Sequence, residues 1–268
     1  MASWQPSGVI TITTDFGHKG PFAAVMKGVI LKGYREATVV DLAHDIPAHW
    51  PPEAGFWISR SFQYFPQGTV HIAIVDPGVG TDRNILVVEH EGHIFLAPDN
   101  GLLAPVLDIA DKIYKLDDAS LQKLDLEEPS LTFHGRDIFA PLAAEFAAGR
   151  LKPADVGSET ADWTPGWLEE PEVMPDRVSG VVVTVDAFGN LITNIDGSLI
   201  KGFKRPKVHL AGHDFDIAPT YGRVEPGKFL ALVNSFGVIE IARAEGSAAD
   251  GLGTERGAPV VVSDEKSS

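Results

Sequence analysis

The chain has 268 residues, 44% of them hydrophobic, which is enough apolar material for one large domain or two ordinary ones. Its formal net charge of −15 argues against nucleic acid as a partner, because nucleic-acid binding relies on lysine and arginine to neutralise phosphates. The chain has no cysteine, which excludes disulfides, thiolate nucleophiles and cysteine-type zinc sites.

The first half of the chain alternates β-branched runs with helical patterns, from residue 8 to about residue 150. The apolar runs 9–14, 70–75 and 94–98 predict buried strands, and apolar residues at helical spacing predict helices over 22–30, 54–62 and 138–146. This alternation is typical of an α/β domain with a central, mostly parallel sheet.

Carboxylates follow several of the predicted strands directly. Asp15, Asp76, Asp99 and Asp186 each come at the end of an apolar run. Ligands of open α/β sheets bind beyond the carboxyl ends of the strands, so these acids favour an enzyme or a ligand-binding protein. For any one of them, a role in turn formation before Pro-Gly or Asn-Gly remains an equal alternative.

The second half of the chain has a different composition. We predict an N-terminal α/β domain over 8–165, a linker over 166–177 and a small all-β barrel over 178–264, because after residue 178 only short strands separated by glycine-rich turns are predicted. There is no basic-apolar signal segment before Gly8 and no apolar run of membrane length, so we expect a soluble, cytoplasmic protein without membrane contacts.

His134 lies just before a predicted helix, in Phe133-His134-Gly135-Arg136-Asp137, with Asp137 near the helix N-terminus where negative charge is favoured. This position at the junction between a loop and a helix makes His134 a candidate for chemistry. Other histidines lack it and are predicted to be surface or packing residues: His44, His71, His90, His93, His209 and His213.

Asp, Arg and His side chains together can hold and polarise a water molecule. The carboxylate accepts one proton, the arginine fixes the carboxylate and stabilises developing hydroxide, and the histidine orients the water or relays its other proton. The sequence contains no Gly-x-Ser-x-Gly elbow, no Gly-x-Gly-x-x-Gly dinucleotide loop and no Gly-Lys-Ser/Thr phosphate loop.

Short motifs occur in a fixed order along the chain. They are Thr13-Thr14-Asp15-Phe16-Gly17, Asp76-Pro77-Gly78-Val79-Gly80 followed by Arg83, Ala97-Pro98-Asp99-Asn100-Gly101, Phe133-His134-Gly135-Arg136-Asp137, Asp186-Ala187-Phe188-Gly189-Asn190 with Thr193-Asn194-Ile195, and Asn234-Ser235-Phe236-Gly237. In this order they resemble the adenosine-forming S-adenosylmethionine hydrolases, also called S-adenosylmethionine hydroxide adenosyltransferases, which are relatives of fluorinase and chlorinase. The resemblance extends from Val9 to Val262.

The resemblance implies an α/β domain, a C-terminal β-barrel and a homotrimer whose sites lie between the first domain of one subunit and the second domain of its neighbour. It implies hydrolysis of S-adenosyl-L-methionine to adenosine and L-methionine, by attack of water on ribose C5′, without a cofactor or metal. The family's water-activating residues match Asp76, Arg83 and His134.

The same resemblance implies a substrate-binding set. Asp15 matches the acid that holds the ribose hydroxyls, and Asp186 is a partner for the methionine ammonium. Trp50 resembles an aromatic residue of the pocket wall. The remaining positions, around adenine and methionine, are Phe188, Asn190, Ser235 and Phe236.

Two other classes of function remain as alternatives. Strand-end acids with His134 are also the ligand types of a metal-dependent phosphohydrolase, although Arg83 and Arg136 nearby would repel a cation. A non-catalytic sensor of an adenosyl ligand would keep the C-terminal motifs but would not need Arg83 or His134. Within the resembled family, Asp76 and Arg83 favour water over halide as the nucleophile.

Overall fold

A computed structural model describes residues 4–124, 126 and 128–265. The chain forms two compact units, Met1–Trp167 and Leu168–Ser268, and each has its own hydrophobic core. None of the described helices is long and apolar enough to cross a membrane.

The first unit is built on a seven-stranded sheet. Its strands are β1 (Val9–Thr14), β2 (Thr38–Ala43), β3 (Val70–Ile74), β4 (Ile85–His90), β5 (His93–Pro98), β6 (Lys112–Leu116) and β7 (Gly157–Glu159). The spatial order is β2-β1-β3-β5-β4-β6-β7. The first four strands in this order run parallel, and β4, β6 and β7 continue the sheet in antiparallel pairings.

Helices cover both faces of this sheet. They are α1 (Phe22–Gly33), α2 (Pro51–Ser61), α3 (Ala104–Leu107), α4 (Asp118–Lys123) and α5 (Ala140–Ala147), and a π-helical turn, Gly135–Phe139, leads into α5. Strand β3 is almost entirely apolar because both of its faces are buried. Ile72 packs in the core under α1 and α5, whereas the next residue, Ala73, packs in the core under α2 and α3.

The second unit is an antiparallel, nearly closed barrel. Its strands are β8 (Glu172–Met174), β9 (Arg177–Val185), β10 (Leu191–Asp196), β11 (Pro206–Leu210), β12 (His213–Asp216), β13 (Phe229–Val233), β14 (Val238–Arg243) and β15 (Pro259–Asp264). The order is β12-β11-β15-β9-β10-β14-β13, with β8 on β9. Just beyond β12, the N–H of Ala218 donates to the carbonyl of Ala231 in β13 at 2.8 Å, which brings the two edge strands together.

The predicted fold class is confirmed: an α/β unit with a parallel core is followed by an all-β barrel. One local expectation was wrong: the second unit also contains a helix, α6 (Ala248–Leu252), which at five residues is too short to show helical periodicity. The helix predicted over 138–146 is confirmed, with its first two residues in the π-helical turn and the rest in α5. The segment predicted as linker, 166–177, contains β8 and the division between the two units.

Candidate active site

A cavity of about 250 Å³ opens where the central parallel strands of the first unit end. Thr14 and Ile74, the last residues of β1 and β3, lie opposite each other in the parallel register. Asp15 and Asp76 therefore leave the sheet at the same edge. The cavity is lined by Asp15, Phe16, Phe22, Ile74, Asp76, Val79, Thr132, Phe133, His134 and Gly135.

Asp76 is bound by the loop that follows it. Nε of Arg83 donates to Oδ2 of Asp76 at 2.7 Å, and Nη2 contacts the same oxygen. Oδ1 accepts from the N–H of Gly78 at 3.2 Å. The Asp76 side chain is 4% exposed and that of Arg83 is 9% exposed, so the pair is shielded from solvent and fixed in orientation.

Gly80 lets this loop approach the segment that carries His134. Its φ is +78°, and a Cβ built on it would lie 2.2 Å from the carbonyl oxygen of Leu131. A side chain at this position would push the two segments apart. Gly80 therefore allows the loop after Asp76 to contact the segment that carries His134.

The protonation of His134 follows from its partner. Nη2 of Arg83 lies 3.0 Å from Nδ1 of His134, and a guanidinium can only donate, so Nδ1 accepts. Burial lowers the pKa of His134, and the positive charge of Arg83 lowers it further, although Asp76 and Asp137 oppose this. The ring is therefore neutral near pH 7, with its proton on Nε2.

Asp15 receives a backbone hydrogen bond from across the cavity mouth. The N–H of His49 donates to Oδ2 of Asp15 at 3.3 Å. The other carboxylate oxygen has no hydrogen bond within the part of the chain that the structure describes, and Asp15 is half-buried on the cavity wall.

Three phenylalanines form an apolar wall of the cavity. The ring centroids of Phe16, Phe22 and Phe133 lie 5.5–6.0 Å apart in tilted or edge-on contacts. The sequence spacing places Phe22 on the same face of α1 as Met26 and Ile30, which are buried, yet Phe22 is 47% exposed. Its position as the first residue of the helix, directly after Gly20-Pro21, is the sequence feature that distinguishes it from them.

Trp50 lies at the start of α2, and its ring packs edge-on against Trp167 with centroids 6.3 Å apart. It is not among the residues that line the cavity. Asp99 is also outside the cavity lining. Its carboxylate accepts from the N–H of Thr164 at 2.7 Å, which anchors the end of the first unit.

Asp186 organises a tight turn in the second unit. Its Oδ1 accepts from the N–H groups of Phe188 and Asn190, both at 2.9 Å, and its Oδ2 accepts from the side-chain amide of Asn190 at 3.0 Å. Asn190 is buried, whereas Phe188 is 79% exposed. Gly189 takes φ +82° against Ser247, where no side chain would fit.

Ser235 and Phe236 lie in the turn between β13 and β14. Oδ1 of Asn234 accepts from the N–H of Phe236 at 3.0 Å, and its amide donates to Glu240 at 3.1 Å. Sequence reasoning missed Glu240, which is 2% exposed and also accepts from the Tyr221 hydroxyl at 2.7 Å. Burial raises the pKa of this carboxyl, and its hydrogen bond from Asn234 ties Glu240 to the turn.

The structure brings Asp15, Asp76 and His134 to the cavity of the first unit, where Arg83, outside the cavity lining, is hydrogen-bonded to both Asp76 and His134. It places Asp186, Phe188, Asn190, Ser235 and Phe236 on turns of the second unit. Within the described ranges, no group of three or more His, Asp or Glu side chains is arranged to hold a metal ion.

Comparison with known proteins matches both units. The model of the SAM hydroxide adenosyltransferase N-terminal domain matches residues 10–157, and that of the C-terminal domain matches residues 180–261. The chain is 36% identical over 255 residues to a protein of Thermus thermophilus named (R)-S-adenosyl-L-methionine hydrolase, covering 92% of this chain and 96% of that protein. It is 27% identical over 290 residues to a fluorinase of Nocardia brasiliensis, covering 95% and 96%.

A solved structure shares the fold of nearly the whole chain. An uncharacterized conserved protein from Thermotoga maritima superimposes with a TM-score of 0.86 at 32% identity, covering 95% of this chain and 99% of that one. Since the two family models together match most of the chain, this protein belongs to the SAM hydroxide adenosyltransferase family.

Proposed function

We propose that this protein hydrolyses S-adenosyl-L-methionine to adenosine and L-methionine by attack of water on C5′ of the ribose. The observation that carries the proposal is the hydrogen-bonded series Asp76, Arg83 and His134 at the cavity. Relatives named (R)-S-adenosyl-L-methionine hydrolase support the substrate and its (R) configuration at sulfur.

The series offers two complementary contacts to a water molecule. Oδ1 of Asp76 accepts from Gly78 and retains capacity to accept a water proton. His134 presents Nε2–H, because its Nδ1 is occupied by Arg83. A water held by this donor and this acceptor is oriented with a free lone pair for attack.

The reaction needs little else from the protein. The water oxygen forms a bond to C5′ as the C5′–S bond breaks, and the electron pair of that bond returns to sulfur, giving a neutral thioether. The released proton passes to Asp76 and then to solvent. No general acid is needed for a neutral leaving group, and alignment of the reactants supplies roughly 7–11 kcal/mol of barrier reduction in favourable cases.

Binding of the nucleoside is assigned to other groups. Asp15 accepts hydrogen bonds from the two ribose hydroxyls, as a carboxylate with a free oxygen can. Phe188, Asn190 and Ser235 surround adenine and methionine, with Asp186 opposite the methionine ammonium. Trp50 lies outside the lining of the first unit's cavity, so its assignment to the pocket wall rests on the family resemblance alone. A homotrimer with sites shared between neighbouring subunits belongs to the same proposal, which rests here on the family resemblance.

Product analysis tests the function. The purified protein is incubated with (R)- or (S)-S-adenosyl-L-methionine, with and without a chelator, and the products are separated. We expect adenosine and methionine from the (R) form, at a rate that is unchanged by the chelator and falls about 100- to 1000-fold with Asp76→Ala. Unconverted but bound substrate would favour the sensor. Activity that disappears with the chelator and returns with a divalent ion would favour the metal-dependent enzyme.

A further inference from the structure

His44 is a buried histidine with both ring nitrogens hydrogen-bonded. Nδ1 lies 2.8 Å from Oγ1 of Thr14, and Nε2 lies 2.8 Å from Oδ1 of Asp41. The His44 side chain is 2% exposed. The other carboxylate oxygen of Asp41 accepts from Nζ of Lys27 at 2.5 Å, so the series runs from the protein surface to the last residue of β1.

The direction of these hydrogen bonds is fixed by chemistry. Burial opposes ionisation of Asp41, but hydrogen bonds from Lys27 and His44 outweigh it and lower its pKa, so Asp41 is an acceptor. Nε2 of His44 therefore donates to Asp41, and in the neutral imidazole Nδ1 accepts from the Thr14 hydroxyl. The Thr14 oxygen in turn accepts from the N–H of Phe16 at 3.2 Å.

His44 also holds the chain through its backbone. Its carbonyl accepts from the N–H of Gly17 at 2.8 Å. The residues on both sides of Asp15 are thus attached to His44, through Thr14 on one side and Gly17 on the other. Five residues further along, the N–H of His49 contacts the Asp15 carboxylate itself.

We propose that His44 is a positioning residue for substrate binding: by bonding to Thr14, with its tautomer set by Asp41, it fixes the short segment that presents Asp15 to the cavity. His44 itself has no contact with the cavity. This inference rests on the proposed function, which assigns the ribose hydroxyls to Asp15. Its consequence is that the Thr14–His44 bond controls affinity rather than the chemical step.

Two nearly isosteric variants separate the two hydrogen bonds. His44→Asn places an amide oxygen near Nδ1 and keeps an acceptor for Thr14, whereas His44→Gln places an amide nitrogen near Nε2 and keeps only the donor to Asp41. We expect His44→Gln to raise KM for S-adenosylmethionine about tenfold with kcat changed less than about threefold, as for one lost buried hydrogen bond. His44→Asn should recover most of this loss.

Thr14→Val is a second way to remove the same bond while keeping the side-chain volume, and it should reproduce the rise in KM. His209→Ala is the matched control. His209 also bridges a carboxylate and a hydroxyl, Asp214 and Ser263, both at 2.7 Å, but on the barrel sheet. Its loss should leave KM unchanged.

If the inference is correct, the rise in KM caused by His44→Gln depends on Asp15. A double-mutant cycle measures this dependence. With Asp15→Asn as background, His44→Gln should raise KM no further; a full additional rise would overturn the inference. If Asp15→Asn raises KM while His44→Gln and Thr14→Val do not, the inference fails and the proposed function stands. If Asp15→Asn itself leaves KM unchanged, the proposed binding role of Asp15 fails.

Discussion

Nη2 of Arg83 donates to Nδ1 of His134 at 3.0 Å across 51 positions of sequence, while Nε of the same guanidinium donates to Asp76. Arg83 therefore fixes the orientation of the Asp76 carboxylate and the tautomer of His134. We assign these two groups to the attacking water, Asp76 as its acceptor and His134 as its donor. Arg83 is expected to act on the reaction without touching either end of the scissile bond.

Loss of any member of this series should reduce turnover without abolishing binding. For Asp76→Ala, Arg83→Ala and His134→Ala we expect kcat to fall about 100- to 1000-fold, the range for lost acid–base and electrostatic groups. Single-turnover kinetics and calorimetric binding separate the two effects. Asp15→Ala and Asn190→Ala should instead weaken binding. Hydrolysis by Asp76→Ala at the parental rate would show that the water-activating set is wrong.

The oxygen of water should appear in the nucleoside. Attack on C5′ in ¹⁸O-water puts the label on the 5′-hydroxyl of adenosine and leaves methionine unlabelled. Attack on the methionine side chain would label a homoserine-type product instead. Mass spectrometry of both products distinguishes these routes, and unlabelled adenosine would refute the proposed attack.

Halide should not replace water. With fluoride or chloride in excess we expect adenosine and no 5′-halogenated nucleoside, because Asp76 and His134 offer an acceptor and a donor that together suit water, and a carboxylate repels an anion. Chromatography against a halonucleoside standard measures the ratio. A halonucleoside as the main product would assign this chain to the halogenase branch of its family.

If sites are shared between subunits, two inactive variants should complement each other. Asp76→Ala is defective in the first unit and Asn190→Ala in the second. Co-assembly after subunit exchange should restore activity at interfaces that combine two intact halves. A protein that remains monomeric at working concentration, or mixed assemblies without recovered activity, would contradict a shared site.

A buried histidine pair on strands β3 and β5 predicts acid sensitivity. Nε2 of His71 lies 3.1 Å from Nδ1 of His93, and Thr11 contacts the other nitrogen of His71 at 2.8 Å. Burial, aided by His93, lowers the pKa of His71 to about 3. The unfolded chain takes up this proton below its ordinary pKa of about 6.5 while the folded chain does not, so stability is lost as the pH falls through that value.

The loss at pH 5 should be about 2 kcal/mol for one excluded proton. Urea unfolding at pH 7.5 and pH 5 measures it. His71→Gln keeps polar atoms near the same partners but does not titrate, so its free energy of unfolding should change less between the two pH values. An equal change in both proteins would assign the acid sensitivity to other groups.

The elements that could be predicted from the sequence are those with strong periodicity. Strands such as β1 and β3, buried on both faces, are uninterrupted apolar runs, and the acids after them mark the cavity. Strand β12 was not predicted, because its sequence, His213–Asp216, is mostly polar and exposed. The role suggested for His44 was equally hidden, since it depends on Thr14, which only the parallel pairing of β1 and β2 brings near His44.

The π-helical turn before α5 carries one more residue than an α-helical turn would, with the N–H of Ala140 donating to the carbonyl of Gly135. Deleting one residue between Gly135 and Phe139 would restore an α-helix, and each residue of such a helix turns the chain by about 100°. The segment before it would then rotate relative to α5, carrying the His134 imidazole away from Arg83. The geometry proposed for catalysis therefore depends on the length of this turn as well as on the identity of its side chains.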